Sequence, residues 1–205
     1  MIVTLANAKG GVAKTTSAMF LAAAWVRRYP TAQVTVLDAD PQSSASLWAD
    51  LIVEQGEQWR GVDVQAANLS TLRRARTQAA SQGARDIVIV DAPPQGALLA
   101  QSMSVADFVM IPTSDTPLDV QQAWATASAL PAGTPYAVLL VRAEPHTRAY
   151  RATVQALDEQ HTPRFDTTVL KRQEIKQAMG HIPQKLYEYT GVVGELVGVL
   201  DQLHQ

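Results

Sequence analysis

Ala8-Lys9-Gly10-Gly11-Val12-Ala13-Lys14-Thr15-Thr16 decides how this chain is read. The run follows the apolar stretch Ile2-Val3-Thr4-Leu5-Ala6 and precedes an Ala-rich helical pattern that extends to about Arg28. A strand, a glycine turn and then Lys-Thr at a helix start is the geometry of a phosphate cradle. In such a turn the backbone N–H groups and the positive end of the helix converge on an anion. Lys14 adds a full charge for β and γ phosphates, and Thr15 offers its hydroxyl to Mg²⁺. The usual phosphate-loop pattern has glycine at its first and sixth positions, where this chain has Ala8 and Ala13. If Ala13 is left-handed, its Cβ costs roughly 1–2 kcal/mol; a right-handed backbone there removes the penalty. The plain alternative is an ordinary glycine-rich turn between a strand and a helix.

Composition narrows the classes. The chain has 205 residues, 47% apolar and 18% charged, with a net charge of −2 and no cysteine. Disulfides, thiolate metal sites and iron–sulfur clusters are therefore excluded. His146, His161, His181 and His204 have no metal-ligand spacing and read as surface residues. No apolar run approaches the roughly 18 residues of a membrane span. The chain enters its first strand without a basic leader, so a cytoplasmic protein is expected. With no strongly basic surface, any nucleic-acid contact must come from a local patch or from several subunits together.

Around the loop, short apolar strands alternate with helical patterns. Val34–Asp38, Ile87–Asp91, Phe108–Ile111 and Tyr136–Val141 read as strands, with Val62–Val64 and Thr167–Leu170 as weaker candidates. Near-continuous hydrophobicity suits strands buried on both faces. Helices are expected near 15–28, 44–53, 69–81, 117–130, 148–158 and 192–203. This alternation predicts an α/β fold: a doubly wound, mostly parallel sheet with helices on both faces, in a single domain over residues 1–205. Since the loop follows the first strand, the reading leaves no room for an N-terminal helix-turn-helix.

Two strand ends are acidic in the places where an open α/β sheet holds its ligand. Asp38-Ala39-Asp40-Pro41-Gln42 closes the second strand, and Asp91-Ala92-Pro93-Pro94 follows Ile87–Val90. A carboxylate there can hold Mg²⁺ directly or through water; alternatively each Asp caps a helix or forms a turn. For Asp38 the two readings balance.

Together, K-G-G-x-x-K-T-T over Lys9–Thr16, D-x-D-P-Q over Asp38–Gln42 and the strand ending in Asp91 resemble the ParA/MinD family of P-loop ATPases with a deviant Walker A motif. The resemblance is sharp over residues 1–50 and 86–96 and diffuse beyond about 100, and it is closest to the compact partition ATPases. It implies that Lys9, Gly10, Gly11, Val12, Ala13, Lys14, Thr15 and Thr16 bind ATP, and that Thr15, Asp40 and Asp91 support Mg²⁺. Asp40 then orients the attacking water, Pro93–Gly96 forms the second switch, and Lys9 crosses a face-to-face homodimer to the opposite protomer's phosphates. Lys9, Lys14 and Asp40 are thus the catalytic candidates for ATP hydrolysis, with weak intrinsic turnover stimulated by a partner.

Arg142, at a late strand end, and Arg172, in Leu170–Ile175, are the candidates for contact with adenine. From Arg142 to Lys185 there are eight Lys/Arg against five Asp/Glu, and Arg172 and Lys176 are expected on one helix face. Doubled in a dimer, that bias could track DNA phosphates without sequence preference. The C-terminal stretch carries Glu195 and Asp201 and no Lys or Arg after Lys185, which argues against membrane attachment. Its Val192, Leu196, Val199 and Leu203 stripe should pack on the sheet. The resemblance implies partition of plasmid or chromosome DNA with a ParB-like centromere-binding adaptor, on the nucleoid when ATP is bound. Two alternatives stay open: positioning of a protein cluster along the nucleoid, and a metabolic enzyme of the same fold resembling dethiobiotin synthetase.

Overall fold

Six strands, all parallel, lie in the order β3-β2-β4-β1-β5-β6 in the computed structural model, which describes residues 1–79 and 83–203. They are β1 (Ile2–Leu5), β2 (Val34–Asp38), β3 (Val62–Ala66), β4 (Ile87–Asp91), β5 (Phe108–Thr113) and β6 (Tyr136–Leu140). Between and after them come α1 (Lys14–Arg28), α2 (Ser44–Glu54), α3 (Leu69–Ala79), α4 (Ala97–Val105) and α5 (Pro117–Ser128). The chain continues with α6 (Arg148–Glu159), α7 (Gln173–Gln177) and α8 (Tyr189–Leu203).

Central position explains why β1 and β4 are uninterrupted apolar runs: every residue of both is buried. Alternate side chains serve opposite layers. Val3, Leu5, Val36 and Ile89 face a core shared with α1, α2 and α8, whereas Ile2, Leu37, Val88 and Val90 meet Leu72 and Ala75 of α3. Farther along the sheet, Val109, Ile111, Val138 and Leu140 pack with Val120 of α5 and Leu157 of α6. Helix α1 is apolar around most of its circumference because the sheet lies on one side and α8 and α2 on others. Its Phe20 ring sits 5.0 Å from that of Tyr189 and meets Trp48 edge-on. Arg27 and Arg28 occupy its last turn, where cations complement the helix dipole.

Chain order reverses across β1, with β4 on one side and β5 on the other. The crevice beyond the carboxyl ends of these strands is where doubly wound sheets hold ligands. The loop 6–13, the turn after Asp38 and the turn after Asp91 all open there.

Several expectations need correction. Thr167–Leu170 is not a strand: Leu170 makes one bridge to Ala143, and Val169 donates its N–H to Leu140 O. Only Val169 of that segment is deeply buried, so it lacks a run of apolar side chains to extend the sheet. Arg172 precedes α7 in extended conformation as its N-cap, so it does not share a helix face with Lys176. Helix α8 presents Val192, Val193, Leu196, Val197 and Leu200 to the core, and packs mainly on α1; Leu203 is 44% exposed. Ser81, the expected end of α3, and His204 lie outside the described residues. His146, His161 and His181 are exposed. No helix among the described residues is long and apolar enough to cross a membrane.

Candidate nucleotide site

The loop after β1 is shaped by left-handed backbone at two points. Gly11 has φ 74°, and Ala13, the N-cap of α1, has φ 60° and ψ 31°. The sequence therefore places a Cβ where glycine is the unstrained residue. Asn7, fully buried, braces the start of the loop: Lys9 N–H donates to Asn7 Oδ1 (2.8 Å), and Asn7 Nδ2 donates to Pro112 O (2.8 Å). Arg142 braces its middle from the end of β6, its Nη2 donating to Gly11 O at 2.6 Å.

Lys14 opens α1 and is 6% exposed. Its ammonium donates to the carbonyls of Lys9 (3.1 Å) and Asn7 (3.3 Å). Burial lowers its pKa, an effect the negative charges of Asp91 and Asp40 oppose. The lysine thus sits poorly solvated among loop carbonyls, and an anion in the cradle would supply the countercharge it lacks.

Beside it, Thr15 Oγ1 donates to Asp91 Oδ2 at 2.6 Å. The other oxygen, Asp91 Oδ1, is buried and has no hydrogen-bond partner. Burial pushes the Asp91 carboxyl up to about 7; Thr15 and Lys14 pull the other way, and the charges of Asp38 and Asp40 add to the rise. A buried carboxylate with one orphaned oxygen, next to a threonine hydroxyl, is a hard-oxygen donor set that fits Mg²⁺ or its water shell. Asp40 lines the same cavity; its Oδ1 accepts the Gln42 N–H at 2.9 Å, a turn-forming contact that leaves Oδ2 free of any described hydrogen bond.

Asp38 resolves toward the structural reading. It is 3% exposed, and its Oδ2 accepts both the N–H and the hydroxyl of Ser46 at 2.8 Å. Ser43, at the N-cap of α2, is left-handed and makes no side-chain cap. A carboxylate from the end of β2 therefore satisfies the helix start in its place, and this pins the segment that carries Asp40.

The structure gathers most of the candidates along one cavity of about 340 Å³. Gly11, Ala13, Lys14, Thr15, Thr16 and Asp40 line it from the loop, the start of α1 and the turn after β2. Trp48, Val141, Leu170, Ile175, Met179 and Tyr189 add apolar surface of the kind that accepts a flat base, with Lys171 and Lys176 beside them. Arg142 and Arg172 stand on its wall, but their guanidiniums have other engagements. Arg142 serves Gly11, while Arg172 donates to Glu188 at 2.5 Å and lies 5.0 Å from the Tyr187 ring centroid.

Lys9, Gly10, Val12 and Asp91 do not line the cavity. The ammonium of Lys9 pairs within the same chain with the carboxylate of Asp119, 110 residues away in the first turn of α5. Asp119 escaped the sequence reading because Thr116-Pro117-Leu118-Asp119 looks like an ordinary helix cap, and Thr116 does accept the Asp119 N–H. Asn7, Trp48 and Tyr189 were missed as well, each resembling a core residue.

The parallel sheet and the loop between β1 and α1 give the chain an α/β P-loop NTPase-like fold, the fold shared with MinD. Within that class the chain belongs to the VirC1 protein family, whose model matches residues 1–182. It is 37% identical over 174 residues to maintenance of carboxysome distribution protein A from Gloeobacter kilaueensis, a match covering 82% of this chain and 76% of that one. Two solved structures are similar in fold. A plasmid partition protein of Borrelia burgdorferi bound to AMPPNP has TM-score 0.72 and 18% identity, over 98% of both chains. The MinD cell division protein of Aquifex aeolicus has TM-score 0.71 and 14% identity, over 96% of this chain and 97% of that one.

Proposed function

We propose that this protein is an ATP-dependent positioning ATPase, a dimer when ATP is bound, which distributes a protein assembly by cycling on and off DNA. The observation that carries the reading is the cradle itself. Two left-handed loop residues, a buried Lys14 and Thr15, which is hydrogen-bonded to Asp91, line a cavity that also carries apolar side chains. Triphosphate on the loop and adenine among Trp48, Leu170 and Ile175 account for both kinds of lining.

In this reading Lys14 and the loop N–H groups hold the β and γ phosphates. Thr15 and Asp91 would hold Mg²⁺, which would supply positive charge against the negative phosphate oxygens. Asp40 accepts a hydrogen bond from the attacking water and aligns it with the terminal phosphorus. Lys9 of the opposite protomer adds a second ammonium as the phosphoryl group transfers. Arg142 acts through the loop, holding the Gly11 carbonyl so that neighbouring N–H groups face the phosphates.

A protein cargo is preferred to a plasmid because the relative at 37% identity is named for carboxysome distribution, while likeness to the plasmid partition protein extends to fold. An adaptor playing the part of a ParB-like protein would join dimer to cargo and trigger turnover. For DNA, the contact surface narrows from eight cations to four. Arg164, Lys171 and Arg172 pair with carboxylates and Arg142 with the loop; Arg148, Arg151, Lys176 and Lys185 make no described ion pair. The test is sedimentation and retention on unspecific duplex DNA with ATP and Mg²⁺. A shift from monomer to DNA-retained dimer supports the reading, and an unchanged monomer at saturating ATP refutes it.

A further inference from the structure

Lys9 has a backbone fixed at both its N–H and its carbonyl, and a side chain held at its tip by one carboxylate. Its N–H is held by Asn7 and its carbonyl by Lys14, so the ammonium pivots about a rigid base. In this structure it rests on Asp119, whose residue surface is 4% exposed. The acceptor is well built. Ser114 Oγ donates to the second oxygen, Asp119 Oδ2, and the carboxylate lies in the first turn of α5, where the helix dipole favours negative charge. Burial opposes ionisation of this carboxyl, yet the hydrogen bonds from Lys9 and Ser114 outweigh it and hold its pKa below the usual carboxylate range. Two of these supports, Ser114 and the helix terminus, stay in place when the lysine leaves. The site can therefore release its cation without stranding a bare buried charge.

We propose that Asp119 is the positioning residue for Lys9: it parks the ammonium on its own protomer, and the dimer closes by transferring that ammonium from Asp119 to the opposite triphosphate. This deepens the proposed function and rests on the reading of Lys9 as a clamp in trans. Asp119 then sets the threshold for dimer closure, since each closure breaks two intramolecular ion pairs by symmetry. The same face is open to a second copy: Leu118, beside the latch, is 59% exposed.

The experiment uses the whole chain and four variants: Lys9→Ala, Asp119→Asn, the double variant, and Ser114→Ala. Dimerisation is followed by sedimentation velocity against protein concentration at saturating ATP and Mg²⁺. Asp119→Asn should lower the half-dimerisation concentration tenfold or more, whereas Ser114→Ala, which keeps the ion pair but removes a support the carboxylate needs once the lysine leaves, should raise it two- to threefold. In the Lys9→Ala background Asp119→Asn should do nothing, a dependence that a purely structural role for Asp119 would not show. An unchanged or weaker dimer in Asp119→Asn, or a tighter dimer in Ser114→Ala, overturns the proposal, as does a shift that persists without Lys9. If Lys9→Ala alone alters neither dimerisation nor ATP turnover, the trans clamp itself falls, and the latch with it.

Discussion

Replacing Asp91 with asparagine should stabilise the metal-free protein, although it removes a residue proposed for function. Asp91 is 1% exposed, and its carboxyl titrates near 7 against an ordinary value of 3.8. A raised acid pKa means that between these two values the folded state binds more proton than the unfolded chain. Stability therefore falls as pH rises through that window. Above pH 7 the ionised group costs the fold about 4 kcal/mol, from a shift of roughly three units at 1.36 kcal/mol each. By pH 5 the cost is under about 2 kcal/mol, and near pH 3.8 it vanishes. Asparagine has the same shape, carries no charge and can still accept from Thr15 Oγ1 through its own oxygen. In EDTA at pH 8 the variant should melt on the order of 10 °C above the parent, taking about 2–4 °C per kcal/mol for a domain of this size. The gap should shrink at pH 5. Urea or thermal unfolding at pH 8, 6 and 5 measures it. A variant no more stable than the parent at pH 8, or a gap independent of pH, refutes the argument. With ATP and Mg²⁺ present the order should narrow or reverse, because the parent gains ligand stabilisation that the variant forgoes.

Ala13→Gly removes a Cβ from φ 60°; the relief of about 1–2 kcal/mol exceeds the roughly 0.5–1 kcal/mol that glycine loses in chain entropy. The melting temperature should rise by about 1–3 °C, and a fall would mean the loop is not left-handed in solution. Asp38→Asn should lower turnover by loosening the Ser46 anchor of the α2 start, while half-saturation by Mg²⁺ stays within about twofold. A large rise in the Mg²⁺ requirement would instead make Asp38 a metal ligand. Exchanging Arg148 and Arg151 for alanine should weaken ATP-dependent DNA retention and flatten its salt dependence by roughly 0.9 per lost phosphate contact. Unchanged retention and slope would move the DNA surface elsewhere.

How much of this was legible beforehand differs by element, for physical reasons. Strands β1, β2, β4, β5 and β6 are apolar because both faces are covered, and such runs announce themselves without any partner in view. The cradle was legible because its residues are adjacent in the chain. Asp91 was legible as a strand terminus, but its orphaned oxygen and raised pKa depend on burial that no local pattern encodes. Helix α7 is five residues long, too short for an apolar period to show. The partners of the candidate cations were beyond reach for a different reason. Asp119 meets Lys9 across 110 residues, and Gly11 meets Arg142 across 131, through crossings of the sheet that bring β1 beside β5 and β5 beside β6. Long side chains on loops carry little information about which of several nearby acceptors they will choose.

That same choice of acceptors bears on rate. Transfer of a phosphoryl group to water needs positive charge concentrated on the terminal phosphate as the bond loosens. Among the described residues at the cradle and its cavity, one protomer offers Lys14, Lys9, Arg142, Lys171, Arg172 and Lys176. In the proposed reading Lys14 is taken by the ground-state phosphates and Lys176, next to Ile175, stands in the lining proposed for the base; Lys9 is paired with Asp119, Arg142 is committed to the Gly11 carbonyl, and Lys171 and Arg172 are neutralised by Glu144 and Glu188. A single chain with bound ATP would thus have its substrate held but its transition state short of charge. Rate acceleration would have to come from outside the protomer, and among these cations Lys9 alone does not line its own protomer's cavity, its side chain being 37% exposed. Slow turnover in the monomer, then, need not reflect a poor site. In the proposed reading it would follow from a site whose missing charge is carried by Lys9 to a second copy.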